Sequence, residues 1–404
     1  MNITELSPVT LDVETNILNK TFGKMKASPF YPDNGIVLGG MKTEDTYTTF
    51  NSLSEKGSVT FHLAGGNLLV GHNIKFDLLF LRKRCNYEYM KWVENGGVLW
   101  DTQIVEYLLS GQTHLYPKLD DLSVKYGGEL KDDKIKEYWK ADIDTADIPL
   151  VELEPYLRGD IDNTELIFWQ QMEEVVARGI LPLITTQMDA LLGLVEMEWN
   201  GMKIDQLRME EQADELSYEL EDVRHLCEAI MAVILPTNMT AIQTPGSSQQ
   251  IAICFFGGEV KCTDREVLLD DDGNILKYKS GIKKGQERTK KVEGLTTVAP
   301  YLAVDAYSEI GTSGIPSVSD KVLKNILADK AKLVGVCLQR RVELAEALLR
   351  YRKLAKDLST YYDGLGKLIF PDGMIHPNFN QCSTSTGRLS STQPNAQNIS
   401  SAES

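Results

Sequence analysis

Val9-Thr10-Leu11-Asp12-Val13-Glu14 is the first apolar run of the chain, and it carries two carboxylates two residues apart. Residues i and i+2 of a strand share a face. Asp12 and Glu14 therefore project together, while Leu11 and Val13 point the other way. Two like charges held side by side repel unless something positive lies between them. A divalent metal is the natural occupant, provided that further carboxylates arrive at the same place.

The 404 residues are 42% hydrophobic and 25% charged, an ordinary globular composition, and the length predicts two or three domains. No apolar run approaches the roughly 20 residues that span a bilayer. The start, MNITELSP, has neither the basic nor the apolar region of a secretory signal. Cys85, Cys227, Cys254, Cys262, Cys337 and Cys382 are scattered and form no CxxC pair. Free thiols in a reduced, cytoplasmic protein are the expectation, rather than a zinc site or a disulfide framework.

The net charge of −16 argues against a generic nucleic-acid coat but not against a nucleic-acid enzyme, because distribution matters more than the total. Residues 274–292 hold seven Lys or Arg against Glu287 alone, a local +6. Residues 340–356 hold six against Glu343 and Glu346. Most of the excess acid lies elsewhere.

Strand-like runs follow the first at 36–38, 46–50, 59–64 and 67–70, separated by Gly, Asn and Asp turn residues. From Ile74 the period becomes helical, ending in the basic turn Arg82-Lys83-Arg84. Helical patterns recur at 102–109, 119–126 and 156–176, with Pro155 suited to the first position of the last. Strands and then interleaved helices predict an α/β or α+β domain ending near residue 180. Residues 183–233 read as helix broken once, at Asn200-Gly201, and 249–256 as a short helix. A hairpin signal with Asp272-Gly273 at its turn precedes the Lys-rich stretch. Helices return at 319–328 and 332–365, and 378–404 is rich in Ser, Thr, Asn and Gln without long periodicity.

Three patterns carry chemistry. Asp12-x-Glu14 lies on the first strand. Asn73-x-x-x-Asp77 enters a helix and puts both side chains on one face. Tyr156-x-x-x-Asp160 repeats that spacing, with Gly159 permitting a close approach by another group. Alone, each is commonplace: an acidic strand, a capping Asn, a solvated helix face. Together they offer Asp12, Glu14, Asp77 and Asp160, with Tyr156 one turn away, about the number of hard oxygen ligands that a pair of metals needs.

In this order the patterns resemble the 3′→5′ exonuclease family with four acids and a tyrosine, on a ribonuclease-H-like fold. The resemblance covers about residues 1–180. It implies that Asp12, Glu14, Asp77 and Asp160 hold two divalent ions, Mg²⁺ or Mn²⁺. It implies that Tyr156 orients the attacking water, that Asn73 belongs to the second motif, and that Leu18 wedges near the terminal base. For Asp101 and Asp162, and for His72, a structural role is the expectation.

Residues 181–404 carry a second resemblance. Residues 196–205, the Pro245-Gly246-Ser247-Ser248 loop, and Tyr351-Arg352-Lys353-Leu354-Ala355-Lys356 resemble thumb segments of family A DNA polymerases. Asn380-Gln381, Thr386-Gly387-Arg388-Leu389-Ser390-Ser391 and Pro394-Asn395-Ala396-Gln397-Asn398-Ile399 resemble the opening of the palm, departing at Ala396, where Leu is usual, and at Ser400, where Pro is usual. The resemblance implies that Arg388, Asn395, Gln397 and Asn398 lie along the primer–template minor groove. That groove offers similar acceptors at every pair, so such contacts test pairing geometry without reading sequence. Lys356 would meet backbone phosphate.

The expected fold is an α/β ribonuclease-H-like exonuclease domain over 1–180, then a mainly α-helical thumb over 181–365. A Lys-rich insertion occupies 257–316, and 366–404 opens a palm. The catalytic aspartates and fingers helix of such polymerases are not in this sequence. The expectation is a truncated chain, or one half of a split polymerase that needs a second polypeptide carrying palm and fingers. The compact layout resembles phage enzymes, acting in the host cytoplasm. Expected partners are single-stranded 3′ ends and primer–template DNA, with a processivity factor or DNA phosphates at 257–316. A stand-alone DNA or RNA exonuclease and a non-catalytic clamp subunit are the competing readings. The palm-like segment weighs against the first and the full acid set against the second.

Overall fold

The computed structural model describes residues 6–17, 27–44, 46–51, 68–129, 134–312, 314–333 and 335–398. The expected strand at 59–64 and Leu18 lie outside them. The chain forms two compact units, one of residues 1–206 with 365–404 and one of residues 207–364.

The first unit is built on a mixed five-stranded sheet of order β3-β2-β1-β4-β5. Its strands are β1 (Pro8–Thr15), β2 (Ile36–Thr43), β3 (Thr46–Asn51), β4 (Leu68–Gly71) and β5 (Val98–Asp101). β1, β2 and β3 run antiparallel to their neighbours, while β4 and β5 add in parallel on the other side of β1. β1 is thus a central strand, and Val9, Leu11 and Val13 are buried in the main core. β5 is not apparent in the sequence pattern. Its four residues are too short for an alternation, and Leu99 and Trp100 are both buried.

The helices of this unit are α1 (Lys75–Arg84), α2 (Asn86–Glu94), α3 (Thr102–Leu109), α4 (Leu119–Tyr126), α5 (Lys134–Lys140), α6 (Leu150–Arg178) and α7 (Leu181–Asn200). α6 starts six residues before the expected 156. Pro149 is its N-cap residue, and Pro155 lies inside it. Pro155 has no N–H to offer the Val151 carbonyl, but Val151 is exposed, so water can serve that group. α6 ends at Gly179, whose φ of 67° is the left-handed conformation that closes a helix.

α7 lies beyond the expected boundary at 180, yet it belongs to the first unit. Ile184, Met188, Leu191 and Val195 form a stripe at helical spacing and join the core around β1. Gly201 ends it with φ of 57°. A Cβ there would stand 2.8 Å from the His376 ring and from the Ile375 carbonyl. That close approach lets β6 (Met202–Lys203) pair with β9 (Met374–Ile375) and brings 365–404 into this unit.

The second unit is largely helical, with its own core. α8 (Gln206–Ile234), α9 (Ser248–Phe256), α10 (Asp320–Ala328) and α11 (Val336–Asp357) supply most of it. Between α9 and α10 runs a two-stranded ribbon, β7 (Gly258–Val267) with β8 (Thr289–Val298). The expected turn is present at its far end, where Leu269 bridges Ile275 and Asp270 Oδ1 accepts the Asp272 and Asn274 amides. All six cysteines are free thiols. No helix of the described residues is long and apolar enough to cross a membrane.

Candidate metal centre and nucleic-acid contacts

Asp12 and Glu14 stand on the same face of β1, opposite Gly40 and Leu38 of β2, with a register shift just after Glu14. α6 lies on that face. The cause is Gly40, where a Cβ would sit 2.5 Å from Ile161 Cδ1 and 2.9 Å from the Tyr47 hydroxyl. Leu153, Leu157 and Ile161 then pack on Leu38 in a small apolar cluster. Asp160 precedes Ile161 and is delivered to the strand acids. Ligand atoms of Asp12, Glu14 and Asp160 lie within 4.8 Å of one another. Three carboxylates with oxygen donors only could hold a hard divalent cation such as Mg²⁺ or Mn²⁺.

Asp77 comes from α1. Its Oδ1 accepts the Val13 amide at 3.0 Å, between the two strand acids. Burial, and then the Asp12 charge, push the Asp77 carboxyl well above the usual carboxylate range. Tyr156 lies one turn before Asp160, its ring edge-on to Trp139. Burial first, then Asp160, Glu14 and Asp12, raise its phenol far above its ordinary value. Tyr156 therefore stays a hydroxyl and can act as a donor.

Asn73 does not share a helical face with Asp77. α1 starts at Lys75, and Asn73 precedes it in the left-handed conformation, with φ of 56°. Its amide and that of Ile74 donate to Asp101, at 3.2 and 3.0 Å. Asp101 also accepts the Gln103 and Ile104 amides, so one buried carboxylate caps α3 and fixes the entry to α1. Burial pushes its carboxyl up to about 6 against the pull of these four bonds. Asp162 pairs with Lys42 at 2.5 Å, and His72 Nδ1 lies 2.9 Å from the Thr102 hydroxyl. Among the described residues nothing approaches Gly159, where a Cβ would meet no atom within 4 Å. Within the protein, the close approach between α6 and β1 occurs at Gly40.

Several positioning groups carry no local sequence signal. Asp144 accepts the Asn16 side chain and the Ile17 amide, each at 3.1 Å, and so holds the chain leaving β1. Lys75 is buried. It pairs with the buried Glu198 of α7 and also donates to the Phe379 carbonyl and to Asn378 Oδ1. Glu198 in turn accepts the Phe379 amide at 2.6 Å. Burial raises the Glu198 carboxyl, and Lys75 opposes that shift. This node ties α1 and α7 to β10 (Asn378–Asn380). Asn73 lines a cavity of about 320 Å³ next to it, together with Phe76, Asn378 and Asn380.

β10 pairs with β11 (Ser390–Thr392), and the intervening loop presents Arg388 to solvent. The Tyr107 hydroxyl holds that loop through the Thr384 carbonyl at 2.7 Å. Asn395 and Gln397 are exposed. Asn395 Oδ1 accepts the Gln397 amide, and Gln397 Nε2 donates to the Leu389 carbonyl. Asn398 ends a short 3₁₀ turn. Lys356 is an exposed residue of α11, in the second unit.

Residues 304–404 match the family model for DNA polymerase family A. The chain is similar to DNA polymerase I of Geobacillus stearothermophilus, 53% identical over 58 residues, which are 14% of this chain and 7% of that protein. The longer similarities are weaker. DNA polymerase I of Pseudomonas aeruginosa is 25% identical over 338 residues, 82% of this chain and 29% of that protein. DNA polymerase I of Synechocystis is 28% identical over 312 residues, 76% of this chain and 25% of that protein. A solved structure of the POL domain of Pol1 from M. smegmatis, in complex with DNA primer-template and dNTP, shares the fold. It aligns with a TM-score of 0.61 at 17% identity, over 99% of this chain and 54% of that one. The chain is thus related to family A DNA polymerases. It spans less than a third of the curated relatives and about half of the solved structure.

Proposed function

We propose that this chain is the proofreading 3′→5′ exonuclease and DNA-binding thumb portion of a family A DNA polymerase, removing 3′-terminal nucleotides by two-metal hydrolysis. The nuclease would be the ribonuclease-H-like region 1–180, with 181–365 as thumb and 366–404 as the start of a palm. The observation that carries the reading is the convergence of Asp12, Glu14 and Asp160 within 4.8 Å, with Asp77 locked against the same strand.

Divalent ions bound there supply Lewis acidity, polarising the phosphodiester and lowering the pKa of water. Asp12, Glu14 and Asp160 would hold one ion, and Asp12 with Asp77 the second. Tyr156 keeps its proton and donates a hydrogen bond to the attacking water, while Glu14 accepts one from it. The two groups together aim the water at the phosphorus, and no nucleophilic side chain is required. Leu18 and Asn73 would hold the terminal nucleotide. Arg388, Asn395, Gln397 and Asn398 would follow the minor groove of primer–template DNA, and Lys356 its backbone. Extension would need palm and fingers elements beyond those in residues 1–404. A processivity factor, or DNA itself, would dock on 257–316, where Lys277, Lys279, Lys283, Lys284, Arg288, Lys290 and Lys291 are gathered.

The test is digestion of a single strand and a primer–template in Mg²⁺ by wild type and by Asp12→Ala with Glu14→Ala. Stepwise 3′ shortening is expected from the wild type. The double variant should lose it and still bind DNA. Arg388→Ala should weaken primer–template engagement and leave single-strand digestion intact. Digestion by the double variant at the wild-type rate would overturn the assignment. Absence of shortening in Mg²⁺ and again in Mn²⁺ would favour a clamp subunit.

A further inference from the structure

A cavity of about 390 Å³ lies in the second unit, between the C-terminal end of α8, the end of β8 and the first turns of α11. Arg340 and Arg341 line it, together with Tyr301, Cys337, Leu235 and Val298. Arg341 is only 3% exposed. Its guanidinium carbon lies 3.6 Å from the centroid of the Tyr301 ring, and Nη1 donates to the Cys337 carbonyl at 2.7 Å. Among the described residues its Nε has no hydrogen-bond partner. The groups that act electrostatically on it are Tyr301, Cys254 and Cys337, none of them a carboxylate. Among the described residues neither Arg340 nor Arg341 has an acidic partner.

A guanidinium removed from water without a counter-ion is costly, and proteins normally pair it. Its position makes the imbalance larger. α11 starts at Val336 after Gly335, with no side-chain cap on its first amides. The start of a 22-residue helix carries positive potential, which repels the two arginines in its first turns and attracts an anion. The positive end of the helix, the orphan Nε and the second arginine all favour an anionic ligand. A planar guanidinium fork suits a tetrahedral oxyanion, and Leu235 and Val298 provide apolar walls beside it.

We propose that this cavity binds a small phosphate-bearing ligand, either the free ion or the phosphate group of a nucleotide, with Arg341 and Arg340 as its cationic contacts. The enclosure of Arg341 selects a small ligand. The proposal does not rest on the nuclease reading.

The test is titration of the full chain, in chloride buffer with EDTA, by inorganic phosphate, pyrophosphate and dAMP, followed by calorimetry and thermal unfolding. Saturable one-site binding that raises Tm is expected, weakened at least tenfold in Arg341→Met and several-fold in Arg340→Ala. Tighter binding of dAMP than of phosphate would identify a nucleotide, and equal affinity the free ion. Equal binding by all three proteins would overturn the proposal. So would absence of saturable binding, or binding of an oligoglutamate peptide alone. If Arg341→Met does not fold, unchanged affinity in Arg340→Ala is sufficient to reject it.

Discussion

The Val13 amide donates to Asp77 Oδ1 at 3.0 Å, so the strand residue between Asp12 and Glu14 holds the carboxylate that α1 contributes. The same bond sets the distance of α1 from the sheet. Asp77→Asn keeps an acceptor for Val13 and removes the charge, whereas Asp77→Ala removes both. The alanine variant should be less stable than the asparagine variant by about 1–3 kcal/mol, the cost of a buried unsatisfied amide. Both should lose metal-dependent digestion. Urea unfolding and a nuclease assay separate the two effects, and equal stability of the variants would show that the bond holds nothing.

Gly40 and Gly159 should respond in opposite directions. A Cβ at Gly40 meets Ile161 Cδ1 and the Tyr47 hydroxyl, so Gly40→Ala must displace these side chains where α6 packs on β1, next to Asp160. A loss of about 1–3 kcal/mol and a lower digestion rate are expected. Gly159 is helical with open space around it, so Gly159→Ala should stabilise by about 0.5–1 kcal/mol. Thermal melts of the two variants check the contrast.

Lys75 and Glu198 form a buried pair that also holds the Asn378–Phe379 backbone. Lys75→Met strands the Glu198 charge and should cost about 3–5 kcal/mol. Adding Glu198→Gln removes the stranded charge, so the double variant should be more stable than Lys75→Met alone. Proteolysis of the single variant should begin in 376–392, the segment that the pair anchors. Strict additivity of the two substitutions in a double-mutant cycle would refute the coupling.

Asp101 makes stability depend on pH. Its carboxyl is raised to about 6 in the folded chain, above its ordinary value of 3.8. The folded state therefore binds this proton more tightly than the unfolded state. The contribution is favourable below pH 4 and is lost as pH rises to 6, by about 3 kcal/mol for a two-unit shift. Asp101→Asn removes this titration. Its stability, lower overall for the weakened caps, should fall less between pH 4 and 6 than that of the wild type. Parallel curves would exclude Asp101 as the source.

The acid set was legible because its spacing is local. Asp12 and Glu14 follow from the two-residue period of a strand, and Tyr156 and Asp160 from the helical turn. The structure brings Asp12, Glu14 and Asp160 together as those patterns suggest. Asn73 was misplaced because N-x-x-x-D spacing cannot distinguish a residue in a helix from one just before it. Only the left-handed φ at Asn73 and the amide bonds to Asp101 decide that.

The sequence by itself determined the strand acids, the break at Asn200-Gly201, most of the helices and the kinship with family A polymerases, because each is written in periods or motifs of a few residues. Tertiary structure decided the rest. It made Gly40 a point of close approach between α6 and the sheet. It drew α7 and 365–404 into the sheet-bearing unit, and among the described residues it left Arg341 buried without an acid. The physical reason is the same in each case. Burial and pairing depend on which residues distant in the chain become neighbours, and no local period carries that information.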